Sequence, residues 1–228
     1  MPTWISRTLA LLAGLAATWP VRADIVTHLP AQPAKVIALT FDGCEAKGLP
    51  AWLDERIAVF LEAQRIPATL FVTGLFAKRN ADRLGQLSRT GLIEIENHSW
   101  DHPRHLEHLD QGAIAAQLAD TDEAIRAVTG SKPRFFRFPG GHYDAKALAA
   151  VENSGLSVVH WSWESGDPAR DLTPERLTSW VLSKTRPGDV LIFHINGRAP
   201  ATAAALPAMV AELKRRGFSF ARLDEVLK

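Results

Sequence analysis

The sequence predicts an α/β fold in which a parallel sheet closes into a distorted, TIM-like barrel of seven or eight strand–helix units, built as a single domain. Short β-branched or aromatic runs alternate with amphipathic stretches from about residue 35 onwards. Alternation of this kind is typical of a parallel sheet covered by helices. Several of the apolar runs also end in a reactive side chain, and in barrels of this type the chemistry lies at the carboxyl ends of the strands.

The first half of the chain predicts three strand–helix units. Each strand is a short apolar run, and each helix carries its apolar residues on one face, as Ile57 and Leu61 or Ile114 and Leu118 do. In chain order, the elements are strand 36–41, helix 50–64, strand 68–72, helix 81–89, strand 92–96 and helix 111–128.

The second half repeats this arrangement with the same two signals. Its runs are flanked by Gly or Pro, which punctuate strands and helices. The predicted elements are strand 135–138, helix 145–154, strand 157–161, helix 174–184, strand 189–193, helix 203–216 and strand 219–223.

Residues 1–23 are predicted to be a signal peptide. Arg7 supplies the positive charge, the apolar stretch 9–17 is too short to span a bilayer, and Val21-Arg22-Ala23 places small residues where signal peptidase cleaves. The protein is therefore expected to be periplasmic or secreted; the alternative is an uncleaved N-terminal anchor. Residues 24–34 are predicted to be a lead-in segment and 35–228 the folded domain, whose catalytic character follows from the motifs below.

The charge balance argues against nucleic acid as a partner. The chain has 26 basic and 25 acidic residues, and removal of Arg7 and Arg22 leaves 24 against 25. Basic runs are lacking, so no nucleic acid is expected to bind. No second apolar segment is long enough to cross a membrane, so no membrane is expected as a partner after signal cleavage. Cys44 is the one cysteine, which excludes an intramolecular disulfide. The sequence does not indicate an oligomeric state.

Reactive side chains follow four of the predicted strands. His98 and His102 come after strand 92–96, and two imidazoles four residues apart can close on one metal ion. Asp42, Arg137 and His194 follow three other strands. Metal ligands, a carboxylate, an arginine and a further histidine at one edge of a sheet are typical of a metal-dependent hydrolytic site.

The motifs Thr40-Phe41-Asp42, His98/His102, Arg137-Phe138-Pro139-Gly140-Gly141 and Ile192-Phe193-His194 together resemble those of the polysaccharide deacetylases, carbohydrate esterase family four. The resemblance extends over nearly all of the chain after the lead-in segment. It implies a metal-dependent hydrolase, usually with zinc, that removes acetyl groups, in the first place N-acetyl groups, from a carbohydrate polymer or oligosaccharide. The alternative is a non-catalytic, deacetylase-like protein that binds glycans.

The resemblance also implies roles for individual residues. His98 and His102 would hold the metal, and Asp42 would act as the general base. Arg137 would orient Asp42, and a planar guanidinium fork suits that task. His194 would protonate the leaving group, and Asp167 would be the acidic residue that tunes this histidine.

Four further residues are implied in substrate binding. Gly140 would supply a backbone N–H to the oxyanion, and Ile192 would face the acetyl methyl group. Tyr143 would line the groove, and Trp163, or else Trp161, would stack on a sugar ring. The nearby residues His105 and His108 are expected at the solvated rim, and Asn196-Gly197 is interpreted as a turn.

The sequence departs from the family pattern after Asp42. Relatives have a second aspartate there that binds the metal, whereas this chain has Gly43. Three substitutes are within reach: Asp42 itself, Cys44 and Glu45. Cys44 is either a thiolate ligand or a small buried apolar residue, and Glu45 is either a ligand or a surface residue. A further alternative is a metal held by the two histidines and water.

Overall fold

A computed structural model describes residues 25–31, 34–44 and 52–227, and it confirms the α/β class. The parallel sheet contains seven strands. They are β1 (Val36–Gly43), β2 (Ala68–Val72), β3 (Ile93–Asn97), β4 (Phe135–Phe136), β5 (Ser157–Val158), β6 (Val190–His194) and β7 (Ser219–Phe220).

Helices follow or separate the strands along the chain. They are α1 (Glu55–Ala63), α2 (Gly74–Arg79), α3 (Ala81–Arg89), α4 (Gln111–Thr129), α5 (Ala145–Asn153), α6 (Pro174–Lys184), α7 (Thr202–Arg215) and α8 (Leu223–Val226). Neither α2 nor α8 was predicted. Both are short, six and four residues, and carry too little periodicity to be recognised.

The sheet is curled, and its strands follow the order β5-β4-β3-β2-β1-β6, with β7 paired to the start of β1. The chain beyond β5 links the two edges: Ser162 N–H donates to the Val190 carbonyl at 3.0 Å, and Trp163 bridges to Leu191. The predicted lead-in segment takes part as well, since Val26 N–H donates to the Val158 carbonyl at 2.9 Å. The sheet therefore closes into the distorted barrel that the sequence predicts.

Some predicted boundaries shift for local reasons. Helix α1 begins at Glu55 because Asp54 accepts a hydrogen bond from the Arg56 N–H and caps it. Strand β4 ends at Phe136, two residues earlier than predicted, because the turn Pro139–Gly141 follows. The predicted signal peptide and Glu45 lie outside the described residues. Within the described ranges, no helix is long and apolar enough to cross a membrane.

Alternation along the strands divides the core into two layers. Ile37, Leu39 and Phe41 of β1 pack in the large cluster shared with the helices, whereas Ala38 belongs to a smaller cluster inside the barrel. Leu223 and Leu227 join this inner cluster. Asp42 lies four residues after Ala38 on β1, so its side chain is on the same side of the sheet, toward the barrel interior. It stands at the carboxyl end of the strand, where the barrel is open.

Two buried glutamates from β3 also lie inside the barrel. Glu94 accepts hydrogen bonds from the Thr69 hydroxyl at 2.6 Å and the Leu223 N–H at 3.0 Å. Glu96 accepts from the Phe135 N–H at 2.7 Å, which ties β3 to β4. Burial raises the pKa of Glu94, and burial together with the nearby Glu94 charge raises the pKa of Glu96 well above its usual value.

This pair predicts a pH-dependent stability. A raised pKa means that the folded state keeps protons that the unfolded chain releases, so this contribution to the free energy of unfolding is complete below the ordinary glutamate pKa. It is lost as the pH rises through the raised values. We expect Glu96→Gln to remove part of this loss, so the stability of the variant improves relative to wild type as pH rises. Urea unfolding of the two metal-free proteins at several pH values measures this difference in the free energy of unfolding.

The control is Glu123→Gln, which changes an exposed glutamate on α4. Its stability curve is expected to run parallel to that of wild type. A Glu96→Gln curve that is also parallel to wild type would contradict the assigned pKa shift.

Candidate active site

A cavity of about 280 Å³ opens at the carboxyl ends of the strands. Six of its lining residues were predicted as site residues, namely Asp42, His102, Gly140, Asp167, Ile192 and His194. Strands β1 and β6 are paired in a register that places Asp42 next to His194. The parallel sheet thus brings residues that are far apart in sequence to one cavity.

Arg137 is fully buried and holds Asp42 in place. Its Nη1 donates to Asp42 Oδ1 at 2.8 Å, and its Nε and Nη2 donate to the Val159 and His160 carbonyls at 3.2 and 2.9 Å. The guanidinium lies 4.0 Å from the centroid of the Phe71 ring. Burial by itself would raise the pKa of Asp42, but the Arg137 guanidinium, aided by His98 and His194, holds this pKa below its usual value.

The segment from His98 to His102 is a loop shaped by two left-handed residues. Ser99 and His102 have φ angles of 68° and 59°, which are uncommon for residues other than glycine. Asn97 stabilises the turn, because its Oδ1 accepts from the Ser99 N–H at 2.9 Å. The two imidazole centroids lie 5.0 Å apart as a result. The loop, rather than a helix, brings the predicted ligands together.

The histidine pair has ring nitrogens that could hold a metal. His98 Nδ1 lies 2.8 Å from the Arg137 carbonyl, which can only accept, so this nitrogen carries the proton and Nε2 has a free lone pair. That Nε2 is buried, and it has no hydrogen-bond partner in the described part of the chain. Burial lowers the pKa of His98, and it lowers the pKa of His102 to about 3. Both rings are therefore neutral at pH 7, the form that binds metal.

Cys44 completes a three-residue group. The ligand atoms of Cys44, His98 and His102 all lie within 4.8 Å of one another, and Cys44 is fully buried. Arg198 Nη1 lies 3.6 Å from the sulfur. Burial raises the pKa of the Cys44 thiol to about 12, so the thiol is protonated at neutral pH. Asp42 lies beside this group, with Oδ2 3.5 Å from His98 Nε2.

The space next to Gly43 is occupied. A Cβ built on Gly43 would lie 2.9 Å from Cε1 of Phe76, a ring in the buried core. An aspartate at this position would need that ring to move. The departure from the family pattern at Gly43 is thus built into the packing.

Asp167 is buried and holds His194. Its Oδ1 lies 2.9 Å from His194 Nδ1, and its Oδ2 accepts from the His194 N–H at 2.7 Å. The Thr202 hydroxyl donates to Oδ2 at 2.9 Å. Because a carboxylate accepts from Nδ1–H, His194 Nε2 is the ring nitrogen left for chemistry in the cavity. The predicted pairing of these two residues is present.

The predicted substrate-binding residues divide into two groups. Gly140, with a φ of 64°, and Ile192 line the cavity. Tyr143 is not among the residues that line this cavity; it is 46% exposed, and its ring lies 5.6 Å from that of Phe138. Trp163 does not line the cavity either, since its Nε1 donates to Asp189 at 2.9 Å and its ring packs in the layer between sheet and helices. Trp161 is the tryptophan that lines the cavity.

Sequence reasoning missed several polar residues at the cavity. Arg104 and Arg198 both line it, and Asn196 donates from Nδ2 to the Cys44 carbonyl. The Asn196-Gly197 pair, interpreted as a turn, therefore also connects the end of β6 to Cys44. The arginines lie on loops after predicted site residues, and no motif marks them.

The family is established by comparison with known sequences. The sequence model of the polysaccharide deacetylases matches residues 30–159, which is more than half of the chain. The chain is 30% identical over 204 residues to a chitooligosaccharide deacetylase from Bradyrhizobium sp. (strain ANU 289), covering 83% of this chain and 90% of that protein. It is 29% identical to a peptidoglycan-N-acetylglucosamine deacetylase from Bacillus cereus, covering 85% and 89%. It spans about half (52%) of an uncharacterised protein from Bacillus subtilis, to which it is 27% identical over 76% of this chain.

One solved structure with a similar fold is that of a pseudoenzyme. A pseudoenzyme of the same carbohydrate esterase family from Bacillus anthracis superposes with a TM-score of 0.75 at 26% identity, covering 88% of this chain and 68% of that one. The architecture of the family is therefore shared with a protein described as lacking activity. The shared architecture alone therefore does not establish an activity, which depends on the residues of the site.

The ion pair between Asp42 and Arg137 predicts a large mutational effect. Arg137→Met leaves the Asp42 charge buried and unpaired, and we expect the free energy of unfolding at pH 7 to fall by about 3–5 kcal/mol. The double variant Arg137→Met/Asp42→Asn removes that charge and is expected to recover part of the loss. Urea unfolding of metal-free samples measures both. A double variant no more stable than the single one would show that the pair is not the cause.

Proposed function

The chain belongs to the polysaccharide deacetylase family, and from this premise we propose that it hydrolyses acetyl groups, in the first place N-acetyl groups, on a carbohydrate polymer or oligosaccharide. One observation carries the proposal. Asp42, held by Arg137, and His194, held by Asp167, face one cavity beside the group formed by Cys44, His98 and His102.

We propose that Cys44, His98 and His102 hold a divalent metal, with zinc the best match to one thiolate and two imidazoles. The buried, unpartnered Nε2 of His98 supports this proposal, because a metal would supply the interaction that the described residues do not. When bound, such a metal acts as a Lewis acid and lowers the pKa of bound water. Asp42 is adjacent and is proposed as an additional ligand or as the base alone.

Asp42 is proposed as the general base. Its lowered pKa keeps the carboxylate ionised at neutral pH and thus able to accept a proton from the attacking water. Arg137 occupies Oδ1, so Oδ2, which lies toward His98, is the oxygen available for the proton. Arg137 therefore also determines which oxygen acts.

His194 is proposed as the general acid. The hydrogen bond from Nδ1 to Asp167 leaves Nε2 to carry a proton to the departing amine or alcohol. The backbone N–H of Gly140 is proposed to stabilise the oxyanion, and Ile192 to contact the acetyl methyl group. Trp161 replaces Trp163 as the proposed stacking surface for a sugar.

The substrate and location are proposals from similarity and sequence. Two of the relatives named above are a chitooligosaccharide deacetylase and a peptidoglycan-N-acetylglucosamine deacetylase, which favours an N-acetylglucosamine-containing glycan here. The predicted signal peptide supports export to the periplasm or beyond, where such polymers lie.

A non-catalytic, glycan-binding protein is the second candidate. The pseudoenzyme neighbour and Gly43 in place of the ligand aspartate favour it. The complete pairs Asp42–Arg137 and Asp167–His194 favour the enzyme, because glycan binding alone does not need two buried, charge-assisted pairs.

Acetate release tests the proposal. We expect zinc-loaded protein to release acetate from at least one of chitooligosaccharides, peptidoglycan, exopolysaccharide and acetylated xylan, and EDTA to abolish the reaction. His194→Ala should lower kcat by about 10²–10⁴-fold, the usual contribution of a general acid, with little change in KM. The exposed residue His28 provides the control variant His28→Ala, which should keep full activity.

One result would overturn the proposed metal dependence, and another would overturn the proposed activity itself. Full activity of the EDTA-treated, metal-free protein would remove the metal from the reaction. Binding of these glycans by the zinc-loaded protein without any acetate release would support the non-catalytic candidate instead.

A further inference from the structure

A second cluster of histidines lies outside the catalytic groups, on the loop between His102 and α4. His105 directly precedes the one-turn 3-10 helix Leu106–His108 and lies three residues before His108. Residues three apart eclipse in a 3-10 turn, and their imidazoles are stacked here, with centroids 4.9 Å apart and planes at 12°. His142 also stacks on His105, at 4.8 Å. Three imidazoles are thus held together near the surface.

Glu107 adds a mostly buried carboxylate to this cluster. Its side chain is 13% exposed, against 52% and 74% for His105 and His108. Glu107 Oε1 lies 2.9 Å from His105 Nδ1 and 3.7 Å from His108 Nε2. The second oxygen, Oε2, is buried, and no described residue gives it a hydrogen bond. This oxygen therefore lacks the hydrogen-bond partner that a buried polar atom usually has.

We propose that His105, Glu107 and His108 bind a second divalent transition-metal ion of the zinc class. Their ligand atoms lie within 4.8 Å of one another. The distances of 2.9 and 3.7 Å from Glu107 Oε1 bracket the separation of about 3.4 Å between ligands of a tetrahedral zinc ion. Two imidazole nitrogens with one carboxylate oxygen suit zinc better than calcium, which takes oxygen ligands. Both histidine side chains are exposed, so their rings can rotate toward the ion at little cost.

The position of this site links it to the rim of the active-site cavity. Arg104, the residue before His105, lines that cavity. His142 Cδ2 lies 3.3 Å from the position that a Cβ on Gly140 would take. An ion bound at this rim site would therefore fix the loop that carries Arg104. None of its three ligands belongs to the catalytic groups, but the assignment of this ion as the second equivalent rests on the proposed metal at Cys44, His98 and His102.

Zinc titration of protein already loaded with one equivalent of zinc tests the inference. By calorimetry and elemental analysis, we expect wild type to bind a second equivalent and His105→Ala/His108→Ala to bind it more than tenfold more weakly. Glu107→Gln keeps the side-chain shape and should also weaken binding of the second equivalent of zinc. The control His28→Ala removes an exposed histidine elsewhere and should behave as wild type. Binding of the second equivalent should raise the Tm of wild type and leave the Tm of the double variant unchanged.

Far-UV circular dichroism of the metal-free variants checks that they are folded, which the exposure of both histidines leads us to expect. The inference is wrong if wild type takes up no second zinc at millimolar concentration. It is also wrong if the folded double variant binds the second equivalent as tightly as wild type.

Discussion

The buried ion pair between Arg137 and Asp42 is the interaction on which the rest of the site depends. Arg137 donates hydrogen bonds to the Asp42 carboxylate at the end of β1 and to the carbonyls of Val159 and His160. Its own carbonyl accepts a hydrogen bond from His98 Nδ1. One residue thereby orients the proposed base, fixes the tautomer of a proposed metal ligand and ties down the chain that leads to Trp161. Such a pair is costly to bury and is better explained by positioning than by stability.

Most of the fold could be predicted because strand and helix periodicities are clear and the strands are short and apolar. The site could be predicted in outline because parallel strands bring their carboxyl ends to one edge, which places Asp42, Arg137 and His194 together. The choice between Trp161 and Trp163 could not be made from sequence. It depends on how the chain after β5 bridges to β6, a long-range contact that turns the Trp163 indole toward Asp189.

Gly43 and Cys44 show how packing alters a site. The second aspartate that the family resemblance implies at position 43 would collide here with the Phe76 ring, whereas the next side chain, Cys44, lies close to the histidine pair in a fully buried position. A soft thiolate in place of a hard carboxylate would change the preference of the site among metals, since thiolate favours zinc over magnesium or manganese. The roles of Cys44, His98 and His102 as ligands stay predictions, supported by their closeness and by the unpartnered Nε2.

The central claim is that this chain holds its metal through Cys44 together with His98 and His102. X-ray absorption at the zinc edge of protein carrying one equivalent of zinc tests it most directly. The claim predicts one sulfur ligand at about 2.3 Å with nitrogen or oxygen ligands at about 2.0–2.1 Å, and loss of the sulfur signal in Cys44→Ser. A wild-type spectrum with nitrogen and oxygen ligands alone would contradict it.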